Sequence, residues 1–220
     1  MDSKVVNREI RRRIWPLLKD IGFSQFSSRS AWRNCDNKID VLNFKSFNSS
    51  KADTLGVTTF SFGVNLGAFL KYVPAEWPVK LKNSLEMPRE YECHLRGKLK
   101  RSITALGIDY DDIWSIDQDG KNLLWCINDV AEQLPIISSW FDRLADKHEV
   151  LNIILNEKDD WSGIPNFGSN RSPMRSYLAG YVALSVGNHE LSREKLGEAV
   201  RSNCFTALFH DVDSAISRAT

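Results

Sequence analysis

The stretch TTFSFGVNLGAFL (Thr58 to Leu70) decides the fold class. Phe60, Phe62, Val64 and Leu66 recur at every second position, with Ser61, Gly63, Asn65 and Gly67 between them. Period-two alternation marks a strand with one apolar and one polar face. Two further strand candidates precede it, RSAWRNC (Arg29 to Cys35) and IDVLNFKSF (Ile39 to Phe47). A fourth, YECHLRGKL (Tyr91 to Leu99), follows a proline-bearing insert from Pro74 to Pro88. The polar segment SFNSSKADTLG (Ser46 to Gly56) reads as a hairpin loop. Short strands with brief connections favour an antiparallel meander.

Helical patterns flank this region. Val6, Ile10, Ile14, Leu17, Leu18 and Ile21 recur at three- and four-residue spacing, which predicts an amphipathic helix. Pro16 should bend it or begin a new turn, and Gly22 should stop it. Beyond Asp119-Gly120, NLLWCINDVAEQLPIISSWFDRLADKH predicts one long or two consecutive helices, interrupted near Pro135. EVLNIILNE reads as helix and DDWSGIPNFGSNRSP as loop. Ser172-Pro173 caps a further helix, closed by Gly187 and Asn188 and followed by another from Ser192. Segregated strands and helices indicate an α+β fold: an antiparallel sheet of three to five strands packed with an N-terminal helix and a C-terminal helical region. The expected organisation is helix plus sheet over 1–118 and helices over 119–220, packed on the same domain.

The chain has 220 residues, 42% of them hydrophobic and 26% charged, the balance of a folded protein with a true core. No apolar run is long enough to span a bilayer, and the start lacks a secretory apolar segment, so a cytoplasmic location without membrane contact is expected. The four cysteines are far apart and read as free thiols in a reducing compartment. The net charge of +1 hides an asymmetry. Met1 to Arg101 carries 19 Lys+Arg against 10 Asp+Glu, whereas Ser102 to Asp160 carries 4 against 13. The two regions either neutralise each other within the fold or offer patches to charged partners.

Two groups of residues are candidates for a site. In YECHLRGKL, parity puts Glu92, His94, Arg96 and Lys98 on one side, where they join the polar row of Asn65. Arg96 could bind a carboxylate or phosphate bidentately, and His94 could exchange a proton near neutral pH. The competing reading is structural, either a wet sheet face or a His–Glu–Arg network holding helices to the sheet. The second group is the acidic segment with Asp109, Asp111, Asp112, Trp114, Asp117 and Asp119. Its carboxylates alternate with Trp114, Trp125, Trp140 and Trp161, a composition suited to capturing a basic protein. Here the alternative is core aromatics with solvated charges between them.

Other chemistry finds little footing. HDVD (His210 to Asp213) lacks the spacing of zinc enzymes, so no metal and no other cofactor is expected. GVNLGAFLK is not a phosphate loop, ALSVG is not a nucleophile elbow, and DYDDIWSIDQDG does not match an EF-hand. REIRRR near Trp15 and Trp32 suggests nucleic acid, but the near-neutral net charge argues against it.

The combination of PLLKDIGF, AWRN, FSFGVNLGAF and ECHLRGKL resembles the bacterial family known as domain of unknown function 4304. The resemblance covers roughly the first two thirds of the chain. It rests most on Asn65 to Gly67 and Cys93 to Arg96. It implies no catalytic residues, since the family has no established activity. Similar small proteins are thought to occur beside polymorphic toxins, which implies an immunity protein. The expectation is therefore a non-catalytic protein-binding module, an immunity-like inhibitor whose partner is a basic toxin domain. The alternative is a small enzyme or ligand-binding domain using Asn65, Glu92, His94 and Arg96.

Overall fold

The computed structural model describes residues 1–82, 84–102, 110–156 and 172–219. Its centre is a five-stranded antiparallel sheet with strand order β1-β2-β3-β4-β7. The strands are β1 (Gln25–Phe26), β2 (Ser30–Asn34), β3 (Lys38–Ser46), β4 (Phe62–Leu70) and β7 (Leu95–Lys98). The β3–β4 ladder is the spine, with nine cross-strand pairs from Lys38 opposite Leu70 to Ser46 opposite Phe62. Between β4 and β7 the chain leaves the sheet. It forms a separate hairpin, β5 (Leu81–Lys82) and β6 (Leu85–Glu86), and a 3-10 turn at Glu90–Glu92.

The inner face follows the sequence alternation. Phe62, Val64 and Leu66 are buried with Leu42, Phe44, Ala68 and Leu70, and Phe60 packs against them half-buried. Helix α1 (Ser3–Asp20) covers them with Val6, Ile10, Ile14, Trp15 and Leu18. Each such side chain contributes roughly 1.5–3 kcal/mol on burial. The Trp15 ring meets Phe44 edge-on at 5.7 Å. Pro16 sits inside α1 without ending it; Pro16 and Arg12 both face solvent, where the lost backbone bond costs least. The helix ends at Ile21, and Gly22 adopts φ +94°, the left-handed conformation that glycine tolerates.

The rest of the helical shell comprises α3 (Leu123–Glu132), α4 (Leu134–Arg143), α5 (Lys147–Asn156), α6 (Pro173–Ser185), α7 (His189–Arg201) and α8 (Val212–Ile216). One cluster of buried side chains joins these helices to α1 and the sheet, from Val6 to Ala215. The expected break near Pro135 separates α3 from α4, and Ser172 caps α6 by accepting the Arg175 N–H at 3.2 Å. No helix among the described residues is long and apolar enough to cross a membrane.

The segment expected to be a hairpin loop after β3 is different. It holds helix α2 (Ser49–Leu55). The Asn48 side chain accepts the Lys51 N–H at 2.8 Å, and Gly56 closes the helix at φ +66°. A capped seven-residue helix of mainly polar residues has the composition of a loop, so its composition concealed it.

The inner face also holds charge. Lys38 and Asp40 are fully enclosed and bonded to each other, with register partners Leu70 and Ala68. Arg33 Nε donates to Asp40 at 2.7 Å, and Arg33 Nη2 reaches Asp142 on α4 at 2.9 Å. The Arg33 guanidinium lies over the Phe23 and Phe141 rings. This network ties the sheet to α4.

Candidate functional site

The outer face of the sheet carries a polar row. Ser30, Asn43, Asn65 and Lys98 stand opposite one another across β2, β3, β4 and β7. Asn43 Nδ2 donates to Ser30 Oγ at 2.8 Å, and Asn65 Nδ2 donates to Glu90 Oε2 at 3.1 Å. Gly63 and Gly67 flank Asn65 on the same face, leaving a trough in β4. At Gly67 a Cβ would approach Cys93 Sγ to 2.7 Å. Glycine there allows the chain around Glu90 to lie on the sheet. Trp32 pins the same segment by donating its Nε1–H to the Pro88 carbonyl at 2.8 Å.

Glu90 and Tyr91 form a saddle across this trough. On one side is a cavity of about 380 Å³ lined by Ser30, Asn43, Lys80, Lys82 and Arg89, with Trp32 and Met87 as its apolar part. On the other is a cavity of about 180 Å³ lined by Lys45, Asn65, Arg96 and Lys98. Lys98 pairs with Asp112 at 2.7 Å. Among the described residues, Lys45, Lys80, Lys82, Arg89 and Arg96 form no ion pair. Burial raises the Glu90 carboxyl above its ordinary range, against the pull of Asn65, Arg96, Lys45 and Lys98. Beside the saddle, Trp77 and Leu81 are 76% and 64% exposed, and Tyr91 is also exposed.

Of the residues singled out on this face, Asn65, Arg96 and Lys98 meet in this cleft. Parity holds from His94 onward: Leu95 and Leu99 enter the inner core, and Arg96 and Lys98 lie outside. It fails earlier, because Glu90–Glu92 is a 3-10 turn. Cys93 therefore packs into an outer cluster with Trp32, Val41 and Phe69. Glu92 turns back to accept the Arg89 N–H at 2.7 Å, and Glu90 takes the place beside Asn65.

His94 lies on the outer face but is not free to react. Its Nδ1 accepts the Leu70 N–H at 2.9 Å, extending the β4 ladder where β7 has ended. The ring also lies 4.7 Å from Phe69. Burial pushes it down to about 4, so it is neutral near pH 7.

The acidic segment is largely paired with the protein's own lysines. Asp111 meets Lys100 at 2.8 Å, Asp112 meets Lys98 at 2.7 Å and Asp119 meets Lys121 at 2.6 Å. Asp117 is exposed, and Asp109 and Trp161 lie outside the described residues. Trp114 corrects the expectation of an aromatic anchor at the surface. It is completely buried, stacked on Phe62, and donates its Nε1–H to Asp129 at 2.8 Å. Trp140 is buried as well, whereas Trp125 is about half exposed. Cys93 and Cys126 are buried free thiols; Cys35 is partly buried and Cys204 exposed.

Sequence reading missed most of the cleft. Asn43 and Lys45 had a signal, alternating with Leu42 and Phe44 in β3, and Lys80 and Lys82 alternate with Val79 and Leu81. Glu90 had none, because its position depends on the turn. Among the described residues no three or more His, Cys, Asp or Glu side chains gather as metal ligands would. No protein-family model matches the chain, and neither any curated protein nor any solved structure is significantly similar to it.

Proposed function

We propose that this chain is a non-catalytic protein-binding module that recognises its partner through the outer-face cleft and the adjoining hairpin. The observation that carries this reading is the set of five cations that form no ion pair among the described residues, Lys45, Lys80, Lys82, Arg89 and Arg96, beside exposed Trp77, Leu81 and Tyr91. Aromatic anchors next to Arg and Lys have the composition of an interface centre with a polar rim. Unpaired cations also speed the encounter with an acidic surface. The partner therefore presents carboxylates around an apolar contact.

The resemblance noted above supports the finer reading, an immunity-like inhibitor of a toxin. In that case the inhibitor engages an acidic surface of the toxin, because Asp111, Asp112 and Asp119 are already engaged by lysines. The second reading, a small enzyme or ligand-binding domain, draws on Glu90, whose raised carboxyl adjoins Asn65 and Arg96 in the smaller cavity.

Co-expression with the products of neighbouring reading frames tests the first reading. Protection from a toxic neighbour, with a co-purifying complex, is the expected result. K80E/K82E should abolish both without changing the melting temperature. A neighbour that is neutralised equally well by K80E/K82E would remove the cleft from the interface. Glu90→Gln separates the readings: it leaves protein binding in place, but would end a reaction that depends on the Glu90 proton.

A further inference from the structure

We infer that the free edge of β7 accepts an extended segment of a partner polypeptide as a sixth strand. The added residues alternate between acidic and apolar. Strand β7 ends the sheet, and no strand among the described residues pairs with its outer edge. The phase of its hydrogen bonds follows from one contact, Leu99 N–H to the Val64 carbonyl at 2.9 Å. Hydrogen-bonded and non-bonded pairs alternate along an antiparallel ladder. With Leu66 opposite Gly97 and Asn65 opposite Lys98, residues Leu95, Gly97 and Leu99 turn their backbone groups towards β4. Arg96 and Lys98 turn theirs outward, so the edge offers two N–H donors and two carbonyl acceptors in register.

A groove of about 620 Å³ runs between this edge and α4. Leu66, Leu99, Pro135 and Ile136 give it apolar walls, and Ile136 is 60% exposed. Trp140 also lines it and is buried, yet its Nε1–H has no acceptor among the described residues. A buried donor without an acceptor is costly, and an incoming backbone carbonyl would relieve it. The charged groups lining the groove are Lys98, Lys100 and Arg143; each is paired at its far side with a carboxylate, Asp112, Asp111 and Glu149, so Arg96 beside the edge is the cation left to meet an acidic side chain.

These features fix the occupant. Side chains of an added strand point alternately to the two faces. Those on the α4 side meet Ile136 and Leu99 and should be apolar. Those on the outer side meet Arg96, and Lys98 in competition with Asp112, and should be acidic. A second copy of this chain is a poor occupant, because it would set Arg96 and Lys98 against the same cations. Strand addition uses backbone bonds for affinity and alternate side chains for specificity. This inference rests on the protein-binding reading for the kind of occupant; it shares Arg96 and Lys98 with the smaller cavity of the cleft but not Lys80, Lys82 or Arg89.

The test titrates the full chain, labelled for NMR, with a blocked synthetic peptide of alternating valine and glutamate. A peptide of the same composition in two blocks is the control. The Arg96 and Lys98 amides should gain protection from exchange, and the Trp140 indole N–H resonance should move. Lys98→Pro removes one outward N–H without touching the β4 ladder, and should weaken binding about tenfold, the equivalent of roughly 1.4 kcal/mol. Lys98→Ala keeps that N–H and should lose less. The inference falls if the amides stay unprotected at millimolar peptide or if the block peptide binds equally well. It also falls if protection appears with rising protein concentration alone, or if an oligonucleotide displaces the peptide. Any of these results, with the K80E/K82E defect intact, would leave the cleft reading standing.

Discussion

The two faces of the sheet both carry charge, and they treat it in opposite ways. On the inner face Lys38, Asp40, Arg33 and Asp142 form a closed chain in which the buried charges have partners. On the outer face Lys45, Lys80, Lys82, Arg89 and Arg96 surround an open cleft and form no ion pair among the described residues, with the Glu90 carboxyl close to Lys45 and Arg96. A buried charge left unpaired is expensive, so the inner network must be complete for the chain to fold. An exposed cation tolerates solitude, so the outer set can be left for something else to satisfy. Pairing thus separates scaffolding from recognition better than polarity does.

The largest expected effect lies on the inner face. Asp40→Ala leaves Lys38 and Arg33 without their shared carboxylate and should cost about 3–5 kcal/mol in urea unfolding. A loss under about 1 kcal/mol would mean that the pairing is incidental and the contrast between the faces is wrong.

His94 is next, because it is a closed element on the open face. Its neutral form is favoured in the folded protein, with the ring at about 4 against an ordinary value of 6.5. Its stabilising contribution is therefore complete above pH 6.5 and is lost as pH falls from 6.5 through 4. The integrated loss is on the order of 3 kcal/mol. His94→Asn should be less stable at neutral pH and should flatten this part of the stability–pH curve. An unchanged acid slope would return His94 to the list of reactive candidates.

Gly67→Ala probes the seam between sheet and cleft. The added methyl meets Cys93 and should cost about 1–3 kcal/mol by forcing the 89–93 segment outward. Pairing it with Cys93→Ala should restore part of that loss. If the double variant recovers nothing, the close approach does not hold the cleft in place.

The smallest stability effect belongs to the cleft cations. K80E/K82E should change unfolding by no more than about 0.5 kcal/mol, while abolishing partner binding. A clear destabilisation would show that these lysines serve the fold after all.

What could be read in the sequence follows from how local each signal is. The alternation of β4 and the stripe of α1 are local, and both describe the structure closely. So is the parity of His94, Arg96 and Lys98, which share the outer face as the spacing implies. The Lys38–Asp40–Arg33 network was hidden because it depends on register. Asp40 meets Arg33 only when β2 and β3 align, and alternation alone gives two charged residues no reason to face inward. Glu90 was hidden by a change of period, since one 3-10 turn shifts every side chain before His94. Trp114 looked like a surface anchor among carboxylates, but its neighbours Ile113 and Ile116 are buried too. The 380 Å³ cavity of the cleft was hardest to foresee, because it exists only where the β5–β6 excursion folds back over the sheet.

That excursion is fastened at a few points: the Trp32 bond to Pro88, the close approach at Gly67, the Leu70 N–H bond to His94, and the Tyr177 hydroxyl bond to the Pro74 carbonyl. Between these rivets, Trp77, Lys80, Leu81, Lys82, Arg89 and Tyr91 take no part in the β3–β4 ladder. The fold and the recognition surface are therefore separately mutable. A lineage of such chains could diversify Trp77, Lys80, Leu81, Lys82, Arg89 and Tyr91 to follow a changing partner, while Met87, Pro88, the inner core and its ion network stay under purifying selection.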